Sequence, residues 1–133
     1  MQKSWYERVI SWFENYWFVS LLIVILIAST IFYLSSLPSQ AFPPGLGIKT
    51  KIYHVGIFFL LSFFMLITFL KGNNKRTIHL ISLAILLCVS YAITDEIHQF
   101  FVPGRHTALR DVLIDSIGIL FAGVLYTIRI KKK

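Results

Sequence analysis

Four long apolar runs constrain this chain more than any other feature. They extend from about Trp17 to Leu34, His54 to Leu70, Ile78 to Thr94 and Val112 to Ile128. Each approaches the length that a helix needs to cross about 30 Å of hydrocarbon. In that solvent the backbone must satisfy its own N–H and C=O groups, so an open segment crosses as a helix. Barrel strands would be about half as long and would alternate apolar with polar residues. The expectation is an all-α integral membrane protein in which residues 17–133 form a four-helix transmembrane bundle, preceded by an interfacial segment, 1–16. Composition excludes the soluble alternative. The 133 residues are 56% hydrophobic and 14% charged, with mean hydropathy +0.72, whereas a soluble domain carries about a quarter charged residues.

The segment before the first span is amphipathic. Trp5, Val9 and Phe13 recur at helical spacing, with Glu7, Ser11 and Glu14 elsewhere on the circumference, as in a helix lying in the membrane interface. Ser39 and Ala41 offer a small-x-small cleavage site after the first span, but the apolar core is longer than a signal peptide's and the span is read as retained. Cys88 is the only cysteine and sits within an apolar run, which excludes an intramolecular disulfide.

The formal charge is +7, and its distribution matters more than its size. Basic residues flank the apolar runs, the pattern of a membrane protein and not of a nucleic-acid binder. With four spans both termini share one side. That side collects Lys3, Arg8, Lys71, Lys75, Arg76, Arg129 and Lys131 to Lys133, which outnumber Lys49, Lys51, Arg105 and Arg110 on the other. The positive-inside rule places both termini in the cytoplasm of a plasma-membrane protein. The loops from Ser35 to Tyr53 and from Asp95 to Asp111 then face outward.

Most of the chemistry gathers on that outer face. Asp95, Glu96, Asp111 and Asp115 are four of the six acids, and His98, Gln99, Arg105, His106 and Arg110 lie among them. Lys51 and His54 stand at the mouth of the second span and can meet this cluster if short connections hold the helices together. Asp95 with Gln99, and Asp111 with Asp115, are i, i+4 pairs; Lys51 with His54 is an i, i+3 pair, so each pair shares one helical face. Gly118 and Ala122 continue the Asp111 face as a small-residue stripe suited to close helix packing.

Between the third and fourth spans Pro103 and Gly104 predict a turn, with Thr107 as N-cap of the last helix and Asp111 in its first turns. A helix start beside Arg105 and His106 suits a phosphate or carboxylate; pairing of Arg105 with Asp95, Glu96 or Asp111 to pin the loop fits equally well. His54, Asp95, Glu96, His98, His106 and Asp111 could supply metal ligands, but their spacing matches no helical zinc motif. Neither a metal nor a cofactor is expected.

The run Asp95-Glu96-Ile97-His98-Gln99-Phe100-Phe101-Val102-Pro103-Gly104-Arg105, followed by Asp111-Val112-Leu113 and Gly118, resembles the signature of the VanZ-like family. Lys51-Ile52-Tyr53-His54 and Ser35-Ser36-Leu37-Pro38 resemble its other motifs. The resemblance implies a small polytopic protein of the cell envelope, akin to an accessory protein of resistance to teicoplanin, a lipid-bearing glycopeptide. Its motif points to Lys51, His54, Asp95, Glu96, Gln99, Arg105 and Asp111. Two positions depart from the pattern: Asp115 stands where the motif usually has Asn, and Ala122 where a second Gly is common.

Two functions from different classes fit these residues. In the first, an outer-face site recognises the headgroup of a lipid or lipid-linked cell-wall precursor; Lys51, Gln99, Arg105 and Asp111 bind it, and Asp95, Glu96 or His54 moves protons. In the second, the same residues form a structural network within a non-catalytic accessory protein that acts on the membrane around a lipoglycopeptide. A small proton-coupled transporter is a third reading, opposed by the absence of an internal repeat. Expected partners are membrane lipids and a lipid-linked precursor or lipoglycopeptide, with no nucleic acid; the sequence leaves the oligomeric state open.

Overall fold

The computed structural model describes residues 4–45, 47–71 and 77–132. Lys3, Lys75, Arg76 and Lys133, which enter the charge argument, lie outside the described residues. The protein is all-helical: α1 (Trp5–Asn15), α2 (Trp17–Ser36), α3 (Gly47–Leu70), α4 (Thr77–Phe100) and α5 (Leu109–Lys131), with one 3-10 turn at Ser39–Ala41. Helices α2 to α5 are long and apolar enough to span a membrane. In the most apolar window of α2 and of α4 only 22% of residues are buried within the bundle. The rest, among them Leu22, Leu26 and Leu86, needs an apolar surround, which makes this a multi-pass membrane protein.

Local chemistry sets the helix ends. Ser4 and Glu7 form a reciprocal capping box at the start of α1, satisfying two donors that the first turn leaves free. Tyr16 breaks the ladder between α1 and α2. Helix α2 stops where Leu37 turns extended, as a residue preceding proline must, here Pro38. Gly104 adopts φ +75° after α4, a conformation in which a side chain would be strained.

Helix α3 is the centre of the bundle. It packs on every other helix, most extensively on α5. A Cβ at Gly118 would stand 2.2 Å from the carbonyl oxygen of Val55, so the missing side chain lets the two backbones meet. One apolar core joins Val24, Ile31, Phe58, Leu61, Cys88 and Ile119; the other, nearer the termini, is built on Leu66, Ile67, Ala84, Ala122 and Tyr126. Polar bonds between helices supplement them, with Tyr91 donating to the Ala28 carbonyl at 2.6 Å and Ser62 to that of Ile119 at 3.2 Å.

Helix α1 is amphipathic, as its spacing predicts, but the expected stripe divides. Trp5 and Val9 are exposed, whereas Phe13 turns inward, edge-on to Phe64 of α3 at 5.3 Å, and Glu14 is buried.

Candidate functional site

The site forms where α2 ends, α3 begins, α4 ends and α5 begins. Helices α3, α4 and α5 all run past their apolar cores at this end, so Lys51, His54, Asp95, Glu96, Gln99 and Asp111 ride on helices instead of loops. Only Arg105 and His106 of the cluster's inner members lie in a connection.

Two adjoining cavities open among these residues. One, of about 370 Å³, is mostly apolar, with walls from Ile31, Leu34, Phe42, Ile57 and Phe58. The other, of about 540 Å³, is more polar, with Lys51, Glu96, His106 and Asp111 in its walls. Ser39, Thr50, His54, Gln99 and Arg105 line both.

The polar side chains are held by specific partners. His54 Nδ1 lies 3.0 Å from Asp115 Oδ1. That bond fixes the imidazole and leaves Nε2 as its second polar atom, the arrangement by which a carboxylate orients a histidine. Gln99 donates to Asp95 Oδ2 at 2.9 Å, within one helical turn, and to Ser35 Oγ at 3.4 Å, across to α2. Asp95 Oδ1 is buried with no hydrogen-bond partner among the described residues, and Asp95 lines neither cavity.

Two expectations about the connecting loop are corrected. Arg105 pairs with none of Asp95, Glu96 or Asp111. Its Nε donates to the Leu37 carbonyl at 3.0 Å and its Nη2 to that of Leu34 at 2.8 Å, with the guanidinium 4.8 Å from the Phe42 ring centre. The last carbonyls of α2 have no partner within their helix and carry partial negative charge, which is why a guanidinium settles there. Thr107 is not the N-cap of α5. Ala108 holds that position without a side-chain cap, and Glu96 Oε1 instead accepts from the Ala108 N–H at 2.6 Å, tying the loop to α4.

Lys51 and Asp111 contrast with these braced residues. Both are half-buried in the polar wall, and no hydrogen bond or ion pair engages either side chain among the described residues. His98 points elsewhere, with Nε2 2.9 Å from Ser36 Oγ and its ring stacked on Phe32. Among the described residues no three His, Cys, Asp or Glu side chains converge as a metal site requires.

Sequence reasoning placed Asp115 on one helical face with Asp111, but it did not pair this acid, deep in an apolar run where it needs a partner, with His54. It also missed a second polar centre at the opposite end. Glu14 receives Tyr126 Oη at 2.7 Å and pairs with both terminal nitrogens of Arg129. All three side chains are buried or nearly so, and they lock α1 to the last turns of α5. The recognisable sign was Glu14 on an otherwise aromatic segment with Arg129 one turn beyond Tyr126.

A family model described as VanZ/LLP1 matches residues 4–130. No curated protein and no solved structure shows significant similarity to the chain.

Proposed function

The chain belongs to the VanZ/LLP1 family, and from that premise we propose that it serves the cell envelope by binding a phosphate-bearing lipid headgroup at the outer face of the cell membrane. In this reading both termini are cytoplasmic and the paired cavities open outward. The observation that carries it is Lys51, a half-buried residue with no hydrogen bond or ion pair among the described residues, in a cavity wall that also holds Arg105. A lysine so placed without a partner is poised for an anion, and Arg105, whose charge faces no carboxylate within salt-bridge distance among the described residues, supplies the second donor. Asp111 and His54 Nε2 offer acceptors for hydroxyl or ammonium groups on the same headgroup.

The headgroup is either a phospholipid's or that of a lipid-linked cell-wall precursor. The second source connects the site to teicoplanin, whose lipid tail works at the same membrane face. Proton transfer by His54, oriented by Asp115, is chemically available to this site. Glu96 and Arg105 also brace the loop, so part of the cluster is structural, as the non-catalytic reading requires.

The test is susceptibility of a sensitive Gram-positive host expressing wild type or Lys51→Ala, with teicoplanin beside non-lipidated vancomycin and the membrane content of each protein quantified. The expected result is selective protection from teicoplanin that Lys51→Ala loses at equal abundance. Equal protection by the two proteins would remove the site from the function, and no protection by abundant wild type would remove the resistance role.

A further inference from the structure

Resting on the headgroup reading above, we propose that the ligand is one amphiphile divided between the two cavities, its hydrocarbon chain in the apolar cavity between α2 and α3 and its phosphate beside Arg105. The two spaces adjoin along Ser39, Thr50, His54, Gln99 and Arg105, so a molecule in one continues into the other. Their chemistry changes across that boundary. On one side stand Ile31, Leu34, Ile57 and Phe58; on the other, Lys51, His106, Glu96 and Asp111.

Depth separates the two as well. Phe58 is eleven residues into α3, or about 16 Å along its axis, so the apolar cavity reaches well along a helix apolar enough to span a membrane. Along the part of its wall formed by Ile31, Leu34, Ile57 and Phe58 water finds few partners, while Ser35, Lys49, Tyr53 and the shared polar residues line most of the remainder. An empty space forfeits dispersion contacts along its lining. An alkyl or prenyl chain meets both conditions. At about 370 Å³ the space lies at the lower end of small-ligand pockets, which suits one chain.

The polar cavity defines the other half of the molecule. Arg105 sits at the junction with its guanidinium held by the carbonyls of Leu34 and Leu37, which presets the position of the phosphate. Lys51 lies on the polar side of that junction, and Asp111 accepts from a hydroxyl or ammonium group farther along the headgroup. The substrate class is therefore a phosphorylated single-chain amphiphile, with specificity for the chain set by residues of α2 and α3 that the headgroup never touches.

The experiment measures binding to the full chain in amphipol by calorimetry, with inorganic phosphate, ethyl phosphate, dodecyl phosphate and dodecanol as probes. Dodecyl phosphate should bind at least about tenfold tighter than ethyl phosphate, since each buried methylene is worth roughly fourfold. Ile31→Trp and Ile57→Trp, on different helices, each fill the apolar cavity and should collapse that ratio while ethyl phosphate affinity stays within about twofold. Lys51→Ala should weaken both phosphates together. Equal affinity for ethyl and dodecyl phosphate, or a ratio unchanged in both tryptophan variants, overturns the two-cavity assignment and leaves the headgroup reading intact. Dodecanol binding as tightly as dodecyl phosphate, or no binding of inorganic, ethyl or dodecyl phosphate, retires the headgroup reading and this inference together.

Discussion

Asp95 and Asp115 are both buried acids near one end of the bundle, yet their surroundings give them opposite expectations. Asp115 meets a histidine at 3.0 Å; Asp95 shares one oxygen with Gln99 and leaves the other unpartnered. A carboxylate bound to a neighbouring histidine contributes through that bond, typically about 1.5–3 kcal/mol where a charge takes part. A buried oxygen without a donor costs free energy. Asp115→Ala should therefore lower the thermal unfolding midpoint of the detergent-solubilised protein, by an amount corresponding to about 1–3 kcal/mol. Asp95→Asn should leave the midpoint unchanged or raise it, because its amide oxygen still accepts from Gln99. Matching losses in the two variants would contradict this distinction.

Between helices, glycine positions and one buried ion pair decide how the elements hold together. At Gly118 a methyl group would collide with backbone of α3, which cannot rotate away; at Gly123 it would meet the tip of the Ile85 side chain at 2.9 Å, which can. Gly118→Ala should cost about 1–3 kcal/mol by overpacking, measurable as faster loss of the folded band under denaturant. Gly123→Ala should cost well under half of that. At the other end, Glu14 joins α1 to α5 through Tyr126 and Arg129. Breaking one partner of a buried pair strands the other's charge at about 3–5 kcal/mol. Glu14→Gln should free α1 to proteolysis in intact membranes, and pairing it with Arg129→Met should restore much of the protection. An equally protected single variant would show that apolar contacts such as Phe13 with Phe64 suffice to hold α1.

Over the whole molecule, the distribution of charge and apolar surface sets its relation to the bilayer. Arg8, Lys71, Arg129, Lys131 and Lys132 gather at the end with the termini, and Lys71 also lies 3.6 Å above the Trp17 ring, a pairing suited to the interface. The site end carries Lys49, Lys51, Arg105 and Arg110, with acids among them. In a Cys88→Ala background, His106→Cys should react with a membrane-impermeant thiol reagent applied to intact cells, and Lys132→Cys only after permeabilisation. The reverse labelling would invert the topology and place the paired cavities on the cytoplasmic side.

Much of this protein was legible in the residues alone because hydrocarbon leaves a backbone few choices. The number and approximate place of the spans follow from four apolar runs, and the family follows from the run around Asp95 to Arg105. Helical periodicity also placed Gln99 beside Asp95, since that contact lies within one turn. What periodicity cannot specify is which faces of different helices meet. His54 with Asp115, Arg105 with the end of α2, Glu96 with the Ala108 N–H and Glu14 with Arg129 all join residues whose proximity depends on how the bundle packs. The start of α5 likewise depends on a residue from another helix, since Glu96 and not Thr107 accepts from the Ala108 N–H. The residues alone thus dictated a four-span helical membrane protein with four of its six acids gathered at one end. Only the tertiary structure divided that end into an apolar and a polar cavity, because an enclosed space exists only between elements and depends on their separation and rotation.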